Sequence, residues 1–180
     1  MNRLWMIALS AVTAFTVSAT AVVAAEPAKE LNACDMLTDA DVSTAMGLQV
    51  EKGMRRDSGR TKEGAYSSTC LWRVAADNDV NEPDKPLRGA RFAILNAMRW
   101  DKGSAGPASF LNGFRAAAEE HIIKNKPVAL KIGDESIWWG DGVAVRKGDV
   151  SFGMSVHLVT GRERERGIAE GLAEKILKKL

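Results

Sequence analysis

Hydrophobic residues recur along this chain with two periods, and the change from one to the other places most of the expected elements. Val150, Phe152, Met154, Val156 and Leu158 alternate with Ser151, Gly153, Ser155 and His157, the period of two that marks a half-buried strand. Residues 87–100 alternate as well, with Phe92, Ile94 and Met98 on one parity and Arg91, Ala93 and Leu95 on the other, so a long strand is expected there. A strand over 70–74 puts Cys70 and Trp72 on the same side. Shorter strands are expected over 48–51, 136–139 and 143–146, with turns at 132–135, 140–142 and 147–149, so the chain from residue 128 onward reads as a meander.

Three segments follow the helical period instead. Thr38 is an N-cap with Asp39 and Asp41 in the first turn, Val42, Ala45 and Met46 form a narrow apolar face, and Gly47 ends a short helix. Over 108–124, Phe110, Phe114, Ala117, Ala118 and His121 fall within about a quarter turn of one another, which puts His121 on the buried stripe as a packing residue. Pro127 closes that element. Over 162–180, Ile168, Leu172, Ile176 and Leu180 form one stripe, with lysines at the negative helix end; the mixed Arg/Glu run at its start favours core packing over a membrane surface.

Two stretches fit neither period. Residues 52–67 are charged and glycine-containing and read as a mobile loop, whose Arg55, Arg56 and Arg60 are able to grip an anion, although a solvated loop is the commoner explanation. Residues 77–84 begin like a calcium loop. The match collapses because Glu82 stands where the turn needs glycine and Arg88 where a bidentate carboxylate belongs, leaving an acidic hairpin loop.

The first 25 residues change the picture of compartment. Arg3 is their only charge, and an apolar middle leads to small residues, the order of a secretory signal cleaved after about Ala25. A linker over 26–33 and a single domain over 34–180 follow. A retained anchor over 4–25 is weakened by five hydroxyl residues, and lipidation at Cys34 by the charges at Glu26, Lys29 and Glu30. The protein is therefore expected to be periplasmic or secreted, with no stable membrane insertion after cleavage. In an oxidising compartment the only two cysteines, Cys34 and Cys70, are expected to form one structural disulfide, since they lack the CxxC spacing and neighbouring histidine of a redox or metal pair.

Composition narrows the function classes. The 180 residues are 46% hydrophobic and 27% charged, ordinary for one domain with a core, and the formal charge of +2 gives no case for nucleic acid or an anionic membrane. No GxSxG, HExxH, P-loop or dinucleotide fingerprint is present, so no cofactor is implied, and two isolated imidazoles, His121 and His157, make no metal site. Trp138 and Trp139 are adjacent and point to opposite faces of a strand, so at least one needs a cover; the protein's own helices are the commoner one.

Four sets of residues carry a resemblance. Cys34-x-x-Leu37-Thr38-x-x-Asp41-Val42 ends in Met46-Gly47, Cys70-x-Trp72 follows, and Gly133-Asp134-Glu135-Ser136 precedes an aromatic strand and a closing helix with Leu172-Ala173. In this the chain resembles small bacterial secreted or lipid-anchored domains similar in fold to the PsbP and Mog1 proteins. The resemblance implies an α+β fold, an antiparallel β-sheet flanked by helices in an α/β/α sandwich, and brings no catalytic residue. Two functions from different classes are expected. The first is a non-catalytic envelope module binding a protein or small ligand, with Trp138, Trp139, Arg55, Arg56 and Arg60 as its candidate surface and an inhibitor or immunity protein as its narrower form. The second is a periplasmic hydrolase using His121 or His157, which requires one of them in a cleft beside a serine or carboxylate.

Overall fold

In the computed structural model the described residues are 27–75, 90–159 and 161–180; the expected signal and the acidic loop over 77–84 lie outside them. They form helices α1 (Ala33–Met36), α2 (Asp39–Met46), α3 (Gly106–Glu119) and α4 (Arg162–Leu177). The strands are β1 (Met54–Arg60), β2 (Ala65–Arg73), β3 (Phe92–Trp100), β4 (Val128–Leu130), β5 (Glu135–Trp138), β6 (Val143–Lys147) and β7 (Val150–His157). All seven join one antiparallel sheet in the order β1-β2-β3-β7-β6-β5-β4. The expected antiparallel sheet flanked by helices is thus present.

The helices divide unequally between the two sheet faces. On the first face, Cys70, Trp72, Ala93, Leu95, Ala97, Phe152, Met154 and Val156 meet Val42 and Met46 of α2 and Ala169, Leu172, Ala173 and Ile176 of α4 in one buried cluster. This is the helical face. Thr38 caps α2 in a capping box with Asp41, and Asp41 also accepts from Lys175 Nζ at 2.8 Å, so one carboxylate ties α2 to α4. Cys34 and Cys70 are bonded, with Cα atoms 5.1 Å apart, and pin α1 to β2 on the same face. Closing a loop with a separation of 36 residues contributes about 4 kcal/mol by the chain-entropy model.

Among the described residues the second face carries only α3, lying over β6 and β7. Leu111 is its fully buried anchor, Phe110 reaches Gly153, and Phe114 stacks on Trp139 at 5.4 Å. None of the described helices lies on the remainder of this face, with Thr69, Ile94, Asn96 and Met98, so we refer to it as the half-open face. Gly106 lets α3 approach: a Cβ there would fall inside the Trp100 ring.

Three expectations need correction. Residues 52–67 are not a loop but contain β1 and the start of β2; β1 is an edge strand whose residues are mostly exposed, so no hydrophobic alternation announces it. The strand expected over 48–51 reduces to a single bridge between Val50 and Val74. Finally, α3 stops at Glu119, and His121 is exposed rather than on a buried stripe. His121 has φ 58°, its N–H bonds Ala118 O at 3.2 Å, and the Ile122 N–H bonds Ala117 O at 2.8 Å. That is a Schellman closure with histidine in the position usually held by glycine, which is why composition did not signal the stop.

Candidate functional site

The residues singled out from sequence do not converge. Trp138 and Trp139 do point to opposite faces, and each is half-buried under a helix of the protein: the Arg166 guanidinium of α4 lies 6.0 Å from the Trp138 ring, and Phe114 of α3 stacks on Trp139. Arg55, Arg56 and Arg60 are on β1, five strand spacings of about 4.8 Å from β5, so roughly 24 Å separates them from the tryptophans. Arg55 faces Asp57 at 2.5 Å, and Arg60 binds Asp101 at 2.7 Å. Arg56 lies opposite Thr69, on the other face from Arg55.

The histidines are equally separate. His121 lines a cleft of about 560 Å³ between the end of α3 and β4, together with Glu119 and Lys124. His157 stacks on Phe92 at 4.4 Å. Neither has a serine or carboxylate within hydrogen-bond reach among the described residues, and no group of three His, Cys, Asp or Glu side chains there could hold a metal ion.

A different site is assembled where β3 runs into α3. Three chain segments wall a cleft of about 570 Å³: residues 27–29, residues 99–104 with Pro107, and the β6–β7 turn at 148–149. Its frame is hydrogen-bonded on every side. The Trp100 N–H donates to Asp149 O at 2.8 Å, its indole Nε1 donates to Ser151 Oγ at 2.8 Å, and the Asp101 N–H donates to Gly64 O at 2.8 Å. The Asp101 carboxylate accepts the Ala28 N–H at 2.6 Å and Arg60 Nη2 at 2.7 and 2.8 Å, which fixes the N-terminal segment against the sheet.

Those bonds decide the electrostatics of the cleft. The Ala28 N–H and then the Arg60 guanidinium hold the Asp101 carboxyl below its usual range, so it stays ionised and its charge is met. Lys29, Arg99 and Lys102 line the same cleft, and none makes an ion pair with an acidic side chain among the described residues. Arg99 is half-buried. Against them stands only the exposed Asp149.

No family model, curated protein or solved structure matches this chain. The site therefore rests on its own geometry. Sequence reasoning missed it because residues 101–107 fall between the strand expected over 87–100 and the helix expected over 108–124, and Lys29 within the linker over 26–33. The signal available was Arg99-Trp100-Asp101-Lys102 at the end of the long strand: three charges around a tryptophan where a turn begins. What the arrangement can do chemically is hold a ligand, since a hydrogen-bonded frame, positive charge and an aromatic edge are present.

Proposed function

We propose that this protein is a non-catalytic binding module of the periplasm or extracellular space, taking a small ligand into the cleft between residues 27–29, the β3–α3 connection and the β6–β7 turn. The observation that carries the reading is that cleft itself, of a size suited to a small molecule and framed by hydrogen bonds from three separate chain segments. The compartment rests on the signal-like residues 1–25 and on a disulfide of the kind that persists in oxidising surroundings; no helix among the described residues is long and apolar enough to cross a membrane. The PsbP and Mog1 likeness agrees with an antiparallel sheet flanked by helices and belongs to the same proposal.

A cleft-filling variant tests the site. Ala28→Trp keeps the backbone bond to Asp101 while adding bulk at the wall. Native mass spectrometry of the protein purified from an envelope extract should show a bound small molecule on the wild type and none on Ala28→Trp, with both equally resistant to thermal unfolding once stripped of ligand. Equal ligand occupancy in the two proteins would move the site elsewhere.

A further inference from the structure

We propose that the ligand of this cleft carries an anionic head group, a carboxylate or phosphate, bound by Arg99 with Lys29 and Lys102, and an apolar body lying against Pro27 and Pro107. The inference rests on the binding reading above and adds the chemistry of what is bound.

Three cations and a single open carboxylate meet in this cleft. Several guanidinium and ammonium groups elsewhere face a carboxylate: Arg55 with Asp57, Arg115 with Glu135, Arg146 with Asp134 and Glu135, Lys147 with Asp134, Arg162 with Asp141, Arg166 with Glu170 and Lys175 with Asp41. Such pairs satisfy both partners and leave nothing for a ligand. In the cleft the pairing is broken in one direction. Asp101 is taken by Arg60 and the Ala28 N–H, so Lys29, Arg99 and Lys102 face a single carboxylate, Asp149. The protein as a whole is nearly neutral, which makes a local excess of two positive charges a property of the site rather than of the composition.

Arg99 is the residue on which the inference turns. It is the second-last residue of β3, next to a backbone fixed by the Trp100 N–H bond to Asp149 O, so its guanidinium is offered from a paired strand. A half-buried guanidinium without a carboxylate partner has its planar donor fork free, and that fork matches a carboxylate or phosphate in a bidentate way. Lys29 and Lys102, both exposed, close over the head group as mobile charges. Ser104 adds a hydroxyl at the rim; its Oγ accepts the Gly106 N–H at 3.3 Å, and its own proton remains to donate.

The test is calorimetric titration of the full mature chain with four soluble probes: inorganic phosphate, benzoate, phenyl phosphate and the neutral benzamide. Benzoate and phenyl phosphate should bind at one site, inorganic phosphate more weakly for want of an apolar body, and benzamide not measurably. Arg99→Gln should weaken phenyl phosphate at least about tenfold, Lys29→Gln and Lys102→Gln each severalfold, and Lys147→Gln, outside the cleft, not at all. Added salt should weaken the charged probes. Phosphatidylglycerol vesicles that displace phenyl phosphate would identify the head group as a lipid's; vesicles that leave it bound would identify a soluble anion. No saturable binding by any anionic probe, or equal binding by wild type and Arg99→Gln, overturns the proposal. Benzamide binding as tightly as benzoate, with Ala28→Trp abolishing both, overturns the anionic class but leaves the cleft as the site. Ala28→Trp binding every probe like the wild type overturns the cleft.

Discussion

The two faces of the sheet are built to different standards, and β3 shows it within one strand. Toward the helical face it presents Ala93, Leu95 and Ala97, all fully buried; toward the half-open face it presents the bulkier Phe92, Ile94 and Met98, all only half-buried. Small side chains lie where α1 comes close to β3, and large ones where none of the described helices covers the sheet. Apolar bulk in a strand therefore does not report which face is the core. The spacing to the packing helix sets the size of the residues beneath it, and close packing then fixes them. The disulfide, the capping box and the Asp41–Lys175 clasp are all on the helical face as well.

This contrast is broken most directly at Trp72. Its side chain is fully buried on the helical face, and Nε1 donates to Asp39 Oδ1 at 2.9 Å, a carboxylate that also accepts the Gly53 N–H at 2.9 Å. Trp72→Ala should cost about 3–5 kcal/mol in urea unfolding, and the whole sheet should lose protection against amide exchange together. On the other face, Leu111→Ala should cost about 2–4 kcal/mol and act first on α3, whose amides should exchange faster while those of β2 and β3 keep their protection. If Leu111→Ala lowered protection across β2 and β3 as far as Trp72→Ala does, the faces would be one cooperative unit and the contrast would fail.

A milder substitution tests the uncovered area. Ile94 sits opposite Leu71 on one neighbour and Ser155 on the other and is half-buried. Ile94→Ala should cost only about 1 kcal/mol, because little surface returns to water and no enclosed cavity forms. A loss near 3 kcal/mol, or a loss that depends on protein concentration, would mean that something covers this face in solution.

Legibility from sequence followed the same division. Elements that bury one face announced themselves: β7 through its alternation, α4 through its stripe, α2 through Thr38, Asp41 and Gly47, and the Cys34–Cys70 bond through export and cysteine count. Elements defined by backbone pairing or closure did not. Edge strand β1 has charged residues on both sides and gains its place from hydrogen bonds to β2, and the end of α3 depends on His121 adopting a left-handed conformation that no residue type there signals. The cleft was the least legible of all, because it exists only where residues 27–29, 99–107 and 148–149 are brought together. Single residues such as Trp138 attracted notice by type, and Trp138 lies half-buried beside Arg166 of α4; Arg99 stands out only once Asp101, two residues on, is seen to be taken by Arg60 and the Ala28 N–H.

The smallest expected effect is a dependence on pH that again favours one face. Asp41 is held well below the usual carboxylate range, first by the hydrogen bond from Lys175 and then by the Thr38 N–H and hydroxyl; Glu135, on the half-open face, is lowered chiefly by Arg115. A carboxyl whose value is lower in the folded chain than in the unfolded one adds stability that is complete above the unfolded value near 4 and disappears as pH falls through the folded one. Unfolding free energy should accordingly be flat from pH 7 to 5 and decline below about 4. Asp41→Asn should lower stability at pH 7 by about 1 kcal/mol, through the weakened cap and the lost clasp, and should flatten the acid decline. Arg115→Met releases Glu135 at the cost of an ion pair about one third exposed on each side, so its effect at pH 7 should be under about 1 kcal/mol, with a smaller change in the acid limb. An acid limb that Asp41→Asn leaves as steep as in the wild type would show that the clasp between α2 and α4 contributes nothing to the stronger face.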